Sequence, residues 1–338
     1  MSDRSARIAA FLATAGWSGA VRAALAGDAS TRRYERLTLA GRSAILMDAP
    51  DQAASVTAFL RVGGWLRAHG FSAPATLAED PASGLLLIED FGDALVARLV
   101  EAEPGHEISL YSSVIDTLVA LHRLPAPEFV QPLDGPAMAK LVELTVEWYP
   151  HAIGEAPNAE TRQIPDLVAR AYDRLAKGPQ VMALRDFHAE NLILLSGRKS
   201  PADIGLLDYQ DAVACHPAYD LVSLLQDARR DLSPGTESAM IARYLDQTGH
   251  DPATFHAAYA LIGAQRQLRI IGVFARLCLH FGKAGYLAHL PRVWNHLQDN
   301  LAHPALADLA RAVAGGLPEP TAQRIERIKD QCGTYPHP

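Results

Sequence analysis

Apolar and polar positions change their spacing several times along this sequence. Before residue 90, short apolar runs separated by turn-forming residues predict strands, and one run with helical spacing predicts a long helix. A helical pattern also begins at Ser5 and breaks at Gly16 and again at Gly27. The strands are predicted at residues 34–39, 44–47, 75–79 and 85–89, and the helix at 53–69.

Helical spacing dominates after residue 90, and strand signals return only in three short runs. This order predicts an α+β protein with two lobes, a small β-sheet N-lobe at residues 1–90 and a large, mainly helical C-lobe at residues 91–338. The helices are predicted at residues 93–101, 107–123, 136–149 and 160–176 and from Ala218 onward, and the short strands at 181–184, 192–195 and 204–207.

Composition narrows the class of protein. A formal net charge of -7 disfavours a nucleic-acid partner, since a polyanion needs a basic surface. The three cysteines, Cys215, Cys278 and Cys332, are too few and too scattered for a disulfide framework or a zinc site. The sequence has no signal-peptide pattern and no apolar run long enough for a membrane span. We therefore expect a cytoplasmic protein that needs no membrane and no obligate protein partner.

The strongest chemical signal is a set of three polar residues around short apolar strands. Asp186 and Asn191 lie five residues apart, and Asp208 follows a later apolar run. Phosphoryl transfer needs a carboxylate beside the acceptor hydroxyl and oxygen ligands for metal ions that bridge nucleotide phosphates. Asp186 can orient or deprotonate the acceptor, while Asn191 and Asp208 can bind metal. Each residue alone would be interpreted as an ordinary turn residue, but the three together favour a phosphoryl-transfer site.

This set resembles the catalytic machinery of a known kinase family. Residues 184–192 resemble the His-Gly-Asp-x-x-x-x-Asn loop of aminoglycoside phosphotransferase-like kinases, with Leu184-Arg185 in place of His-Gly, and residues 207–209 resemble their metal motif. The resemblance implies a protein-kinase-like fold, ATP and Mg²⁺ as cofactors, Asp186 as the catalytic residue, and Asn191 and Asp208 as metal ligands. It also implies a bracing role for Asp220, in residues 216–221.

Two N-lobe segments resemble the nucleotide-binding parts of that family. Residues 27–34 correspond to the loop over the phosphates, although taken alone they also suit an ordinary turn. Residues 86–92 resemble the hinge, where Glu89 and Phe91 would offer main-chain contacts to adenine. The candidate phosphate-loop contacts are Asp28, Ser30, Arg32 and Arg33.

One departure from the family concerns the lysine that binds the nucleotide phosphates. Met47 stands in its place, and no glutamate that could pair with a lysine occurs between Asp48 and Ala78. Either the protein is a nucleotide-binding pseudokinase, or another cation substitutes. Arg32 or Arg33 can supply that charge, and two solvated arginines are the alternative.

Further segments resemble one branch of the family, the anomeric N-acetylmuramate/N-acetylglucosamine kinases of bacterial cell-wall recycling. They are residues 27–33, 47–50, 270–277 and 282–287. This resemblance implies phosphorylation of the C1 hydroxyl of N-acetylmuramate and also of N-acetylglucosamine, a small-molecule amino sugar. The alternative is another small-molecule kinase of the superfamily, acting on an amino alcohol, an amino acid or an antibiotic.

The charge pattern gives a separate test of the acceptor. Residues 255–298 contain no Asp or Glu, which disfavours a polycationic acceptor such as an aminoglycoside. A helix would bring Gln265, Arg266, Arg269 and Arg276 to one face, suited to the lactyl carboxylate of N-acetylmuramate. A solvated basic face is the alternative. His188, inside the catalytic loop, is a further candidate for shaping the acceptor site.

Overall fold

The computed structural model describes residues 3–25 and 32–335. In these residues the strands are β1 (Val21–Ala24), β2 (Arg33–Leu39), β3 (Arg42–Asp48), β4 (Thr76–Asp80), β5 (Leu85–Glu89), β6 (Gln131–Pro132), β7 (Val181–Ala183), β8 (Leu192–Leu194), β9 (Ile204–Leu206) and β10 (Val213–Cys215). The α-helices are α1 (Asp3–Thr14), α2 (Ala53–Ala68), α3 (Val96–Ala102), α4 (Glu107–His122), α5 (Gly135–Ala152), α6 (Ala159–Leu175), α7 (Ala218–Leu225), α8 (Thr236–Thr248), α9 (Pro252–Leu279), α10 (Leu290–Leu301), α11 (Ala307–Gly316) and α12 (Ala322–Asp330).

The chain packs into two compact units. The first comprises Met1–Ala120 and Leu184–Ala212, and the second comprises Leu121–Ala183 and Val213–Pro338. The predicted α+β class is confirmed, because the main sheet lies in the N-terminal part and long helices fill the C-terminal part. The predicted domain boundary at residue 90 stays a prediction. The segment that contains the catalytic loop packs in the first unit, together with the main sheet.

The first unit is built on an antiparallel sheet with the strand order β1-β2-β3-β5-β4. Its predicted β2–β3 hairpin is confirmed. Ala40 and Gly41 both have positive φ angles, 49° and 77°, which match the twist that a two-residue hairpin loop requires. The pairing sets Tyr34 of β2 and Leu86 of β5 on either side of Met47. The sheet therefore buries Met47, which is 1% exposed.

The helix predicted from Ser5 is confirmed as α1, and it ends at Thr14, just before the predicted break at Gly16. Gly16 and Gly19 adopt positive φ angles of 76° and 77°, which end the helix and turn the chain. The following residues form β1, which pairs with β2. The prediction missed this strand because its side chains are exposed, so burial imposes no alternation on them.

The catalytic-loop segment is attached to the rest of the first unit by backbone hydrogen bonds. β8 pairs with β9, the Leu206 N–H donates to the Ser72 carbonyl at 2.7 Å, and the Leu194 N–H donates to the Ala94 carbonyl at 2.9 Å. These bonds fix the two strands next to the predicted metal ligands, since Asn191 directly precedes β8 and Asp208 lies two residues after β9.

Helix α2 packs against the residue that follows Asp208. The Phe59 and Tyr209 rings stack with centroids 4.8 Å apart. Gly63 lies so close that a Cβ there would be 2.4 Å from the Tyr209 hydroxyl. That buried hydroxyl has no hydrogen-bond partner within the described part of the chain. The contact is therefore held by ring packing and close approach.

Helix α9 forms the centre of the second unit. It packs against α5, α6, α7 and α10, and most of its side chains are buried. Its Gly272 approaches the backbone of α5, where a Cβ would meet Leu144 at 2.4 Å. A small sheet of β6, β10 and β7 completes this unit, and β6 and β10 were not predicted.

None of the helices in the described ranges combines the length and hydropathy needed to cross a bilayer.

A cluster of buried histidines also lies in the second unit. The Nδ1 of His122 lies 2.8 Å from the Tyr244 hydroxyl, and its Nε2 is buried without a partner among the described residues. Burial, with the nearby His250 and His216, lowers the pKa of His122 to about 3. Burial also lowers the pKa of His216 to about 4. Both rings are therefore neutral in the native protein near neutral pH.

The close approach of α2 to Tyr209 makes a testable prediction. Gly63→Ala should lower the free energy of unfolding by about 1–3 kcal/mol, because the new methyl group meets the Tyr209 hydroxyl. Adding Tyr209→Phe should restore part of this loss, giving a coupling energy of about 0.5–3 kcal/mol in urea denaturation.

Gly64→Ala is the matched control, since a Cβ at Gly64 has no neighbour within 4 Å among the described residues. It should raise stability by up to about 1 kcal/mol through helix propensity alone. Equal effects of the two alanines would contradict the close contact with Tyr209.

The neutral histidines predict a pH dependence of stability. The native pKa of His122, about 3, lies below its unfolded value, so the unfolded chain binds the extra proton as pH falls below about 6.5. Lowering the pH from 7 to 5 should therefore cost on the order of 1–2 kcal/mol at this residue. Urea titrations of the wild type and of His122→Gln, at both pH values, should show the smaller loss in the variant. An identical loss in the two proteins would exclude His122 as a contributor.

Candidate active site

The predicted catalytic loop is held in shape by its own backbone and by Asn191. The Asn191 side-chain amide donates to the Asp186 carbonyl at 2.9 Å, and the Asn191 N–H donates to the His188 carbonyl at 2.8 Å. Phe187 is 2% exposed and anchors the loop in the core, while the Asp186 side chain is only half-buried. The loop therefore presents the Asp186 carboxyl at a fixed position that solvent and small molecules can reach.

Asp208 is brought to Asn191 by the β8–β9 pairing. The Leu207 N–H donates to the Asn191 carbonyl at 3.0 Å, so the two predicted metal ligands lie one residue apart across the hairpin. Asp208 Oδ1 accepts hydrogen bonds from Arg32 Nη2 at 2.8 Å and from Gln210 Nε2 at 3.1 Å. The structure thus assembles Asp186, Asn191 and Asp208 within one unit.

The backbone is unusual at two positions in this set. Arg185, beside Asp186, has φ 71°, and Asp208 itself has φ 54°. Residues other than glycine rarely adopt this left-handed conformation, and it persists only where the surrounding structure enforces it. Here the enforcing contacts are the β8–β9 pairing and the burial of Tyr209 against α2. The fold therefore fixes the direction in which the Asp208 carboxyl points.

Arg32 is the cation in contact with Asp208. Its side chain is only 10% exposed, and it also hydrogen-bonds to Tyr34. Burial by itself would lower the pKa of Arg32, but interaction with Tyr34 and Asp208 outweighs burial and leaves the pKa raised. The charge is therefore retained in a partly desolvated position, where electrostatic interactions are stronger than on the surface.

Arg33 behaves differently from its neighbour. It pairs with Asp48 in the β2–β3 register and its side chain is exposed. The carboxyl of Asp48 is bound by Arg4 of α1. Of the two arginines that the sequence proposed, only Arg32 contacts a predicted metal ligand. The other two phosphate-loop candidates, Asp28 and Ser30, lie outside the described residues.

The position that a kinase lysine would occupy is apolar. Met47 is buried in β3, and α2 presents Phe59 to Tyr209. Burying a lysine without its usual carboxylate partner would be costly, so its absence agrees with the lack of a glutamate on α2. Arg32, which lies immediately before β2, supplies a positive charge instead.

The predicted hinge is tied to the catalytic segment through side chains. Glu89 accepts from Arg198 at 2.6 Å and from the Ala75 N–H at 3.1 Å. The Phe91 ring lies 5.2 Å from the Arg198 guanidinium and closely approaches Gly205, where a Cβ would be 2.7 Å from the ring. These side chains serve packing. The main-chain contacts predicted for Glu89 and Phe91 stay predictions.

The candidate acceptor residues on α9 belong to the second unit. Gln265 is 1% exposed and donates to the Met138 carbonyl at 3.2 Å, and Arg266 is 7% exposed with its guanidinium 5.8 Å from the Tyr219 ring. The alternative of a solvated basic face is therefore wrong for these two residues, whereas Arg269 is half-buried. Their role in binding an acceptor stays a prediction.

Two other residues of the sequence argument are buried. His188 is 7% exposed, with Nε2 3.4 Å from the Asn191 amide nitrogen, and belongs to the catalytic loop of the first unit. Asp220 is fully buried on α7. Burial of Tyr244 raises the pKa of its hydroxyl, and the charge of Asp220 raises it further. The shaping role of His188 and the bracing role of Asp220 stay predictions.

Sequence reasoning missed two polar residues of this site. Gln210 is 5% exposed and binds Asp208, and the Tyr34 hydroxyl binds Arg32. Gln210 lies only two positions after Asp208, so proximity was the only available signal. Tyr34 gave none, because an aromatic residue in a strand usually indicates packing.

Comparison with known proteins identifies relatives over most of the chain. An N-acetylmuramate/N-acetylglucosamine kinase from Caulobacter vibrioides is 40% identical, with 91% of this chain and 95% of that protein covered. A protein of the same name from Pseudomonas aeruginosa is 31% identical, with 85% and 86% covered. Among solved structures, a choline/ethanolamine kinase family protein from Mesorhizobium loti superposes with a TM-score of 0.62 at 16% identity, covering 93% of this chain and all of that one. This last similarity concerns the fold.

The family assignment agrees with the geometry of the site. The family model described as "Phosphotransferase enzyme family" matches residues 22–258, from β1 into α9, and so includes the catalytic loop and Asp208. Enzymes of this family generally use ATP with a divalent metal ion. The chain belongs to the phosphotransferase enzyme family, and the protein is a phosphotransferase.

Proposed function

We propose that the protein is an ATP- and Mg²⁺-dependent sugar kinase that phosphorylates the anomeric C1 hydroxyl of N-acetylmuramate and of N-acetylglucosamine. The observation that carries the proposal is the assembly of Asp186, Asn191, Asp208 and Arg32 within one compact unit. The names of the relatives that match this chain support the choice of acceptor. The enzyme would work in the cytoplasm, in the recycling of cell-wall amino sugars.

Asp186 is the catalytic residue in this proposal. A carboxylate beside the acceptor hydroxyl orients it and takes its proton as the bond to phosphorus forms. Asp186 is half-buried on a loop that Asn191 holds in place, which suits a group that must meet a small substrate in a fixed geometry.

Asn191 and Asp208 would hold Mg²⁺. Mg²⁺ prefers oxygen ligands and usually keeps several waters and substrate phosphate oxygens, so one carboxylate and one amide suffice from the protein. The Asn191 amide nitrogen is bound to the Asp186 carbonyl, which turns its oxygen Oδ1 away from that contact. The donor set therefore suits a hard cation, whose bound form would neutralise phosphate charge during transfer.

Arg32 takes the role of the missing lysine. Its guanidinium already lies at Asp208, and a planar, permanently charged group can bind phosphate oxygens through two parallel hydrogen bonds. Asp28 and Ser30 would complete the phosphate loop, whereas Arg33, predicted there from the sequence, is exposed and would contribute little to phosphate binding. The main chain of Glu89 and Phe91 would bind adenine.

The acceptor would be bound with the help of Gln265, Arg266 and Arg269, and of His188. Gln265 and Arg266 are largely desolvated. An acceptor carboxylate that paired with Arg266 would therefore interact with its charge at low dielectric, where the attraction is stronger than in water. The family match ends at residue 258, while the relative from Caulobacter vibrioides matches 91% of the chain. This difference supports a part for α9 in selecting the acceptor, because α9 extends beyond the family match.

The nature of the product tests the proposal. Incubation of the protein with ATP, Mg²⁺ and N-acetylmuramate, followed by phosphorus NMR, should give a sugar 1-phosphate. Asp186→Asn should lower kcat by about 10²- to 10⁴-fold. A phosphate on another hydroxyl would overturn the anomeric assignment, and turnover that survives Asp186→Asn would overturn the role of the loop.

A pair of arginine variants tests the substitution for the lysine. Arg32→Ala should lower kcat/KM for ATP by about 10²-fold, because it removes a charged donor at the phosphates. Arg33→Ala should leave kcat/KM nearly unchanged, because its side chain is exposed in β2. Steady-state kinetics with ATP varied would measure both variants. Equal losses, or none in either variant, would reject Arg32 as the replacement.

A further inference from the structure

The chain after α12 folds back onto the end of α9. The Gly333 N–H donates to the Cys278 carbonyl at 3.0 Å, and the Tyr335 N–H donates to the Leu279 carbonyl at 3.1 Å. The Tyr335 ring packs edge-on against Trp148 of α5, with centroids 5.7 Å apart. Residues 332–335 therefore form a clasp, which two backbone bonds attach to α9 and one aromatic contact attaches to α5.

Two of the three cysteines meet at the base of this clasp. The Cys332 thiol donates to the Cys278 carbonyl at 3.3 Å, and the two thiols also hydrogen-bond to each other. A disulfide requires the two backbones to lie side by side, and the Gly333 bond to Cys278 together with the Cys332 thiol contact places them so. Cys215 lies apart from the pair, buried in β10 with its thiol directed at the His216 carbonyl at 3.7 Å.

The two thiols differ in access to solvent. Cys332 is partly exposed, whereas Cys278 is buried at the end of α9. Burial, together with Cys332, raises the pKa of the Cys278 thiol to about 12. An oxidant in solution therefore meets Cys332 first, and Cys278 is positioned to react second.

We propose that Cys278 and Cys332 form an intramolecular disulfide when the protein meets hydrogen peroxide, and that this bond fastens the C-terminal clasp to α9. In the first step the Cys332 sulfur attacks a peroxide oxygen. The S–O bond forms, the O–O bond breaks, and hydroxide leaves and becomes water with the thiol proton, which yields a sulfenic acid.

In the second step the Cys278 sulfur attacks the Cys332 sulfur. The S–S bond forms, the S–O bond breaks, and the leaving hydroxide becomes water with the Cys278 proton. Two thiols have lost two electrons, and peroxide has been reduced to two molecules of water. A dithiol reductant reverses the change by thiol–disulfide exchange.

The bond would constrain residues far apart in the sequence. Its ends are separated by 54 positions, and the closed loop includes α10, α11 and α12. Closing a loop of this size reduces the freedom of the unfolded chain and so favours the folded state. The disulfide should also keep Tyr335 in contact with Trp148. The side chain of Gln331, directly after α12, already donates to the Ala152 carbonyl of α5 at 3.0 Å.

Thiol counting and peptide mapping on the full chain test this proposal. Hydrogen peroxide, added to the reduced protein, should lower the number of free thiols from three to one, and a reductant should restore three. Proteolysis without reductant should release one linked peptide pair that contains Cys278 and Cys332. The melting temperature should rise by on the order of 5 °C.

The variants separate this pair from general oxidation. In Cys215→Ala the thiol count should fall from two to none, with the same linked peptides as in the wild type. In Cys332→Ser both remaining thiols should survive the same treatment. The proposal is overturned if the wild type carries Cys332 as a sulfinic acid with Cys278 free. It is also overturned if the linked peptides join two chains or if Cys332→Ser loses thiols as the wild type does.

Discussion

The packing of Tyr209 against α2 is the contact on which the active site depends. Asp208, one residue earlier, adopts a left-handed backbone conformation that costs free energy for any residue with a side chain. The stack on Phe59 and the close approach to Gly63 offset that cost by fixing the next residue in the core. A carboxylate that must hold a metal ion at a defined position needs such a support, because a small displacement weakens positioning catalysis strongly.

The same part of the first unit lacks the lysine and the glutamate that form an ion pair in the family pattern. Where the family pattern has an ion pair between β3 and α2, this chain has a buried Met47 in the sheet and, on the helix, Phe59 stacked on Tyr209. Arg32 places a positive charge in direct contact with Asp208. In the proposed function Arg32 thus provides the charge that the lysine provides in the family pattern.

The second unit shows a different use of polar residues. The middle of α9 buries Gln265 and Arg266, and burial of such groups is tolerated only when they have partners. Gln265 bonds to the α5 backbone and Arg266 lies over an aromatic ring. The close passage of Gly272 past the α5 backbone allows the two helices to approach tightly enough for these contacts. Gln265 and Arg266 are therefore held within the helix packing of the second unit.

Much of the fold, and the central residues of the candidate site, could be predicted from the sequence. The β2–β3 hairpin, α2 and the long helices follow from local spacing and turn residues, and the relation between Asp186, Asn191 and Asp208 follows from a reaction that needs those groups on neighbouring loops. The strand β1 escaped prediction because exposed residues carry no burial pattern. The strands β6 and β10 were not predicted either, although β7, β8 and β9 are as short as β10 and were predicted.

The sequence by itself determined the class of chemistry, since this depends on residue types at short separations, and it predicted the residues that would carry it. Tertiary structure decided between Arg32 and Arg33, which are adjacent and equally charged. Arg32 contacts Asp208, 176 positions away, whereas Arg33 is exposed. It also decided that Cys278 and Cys332 meet, although the sequence showed only scattered cysteines. Contacts between distant positions depend on how elements pack, and local pattern carries no information about that.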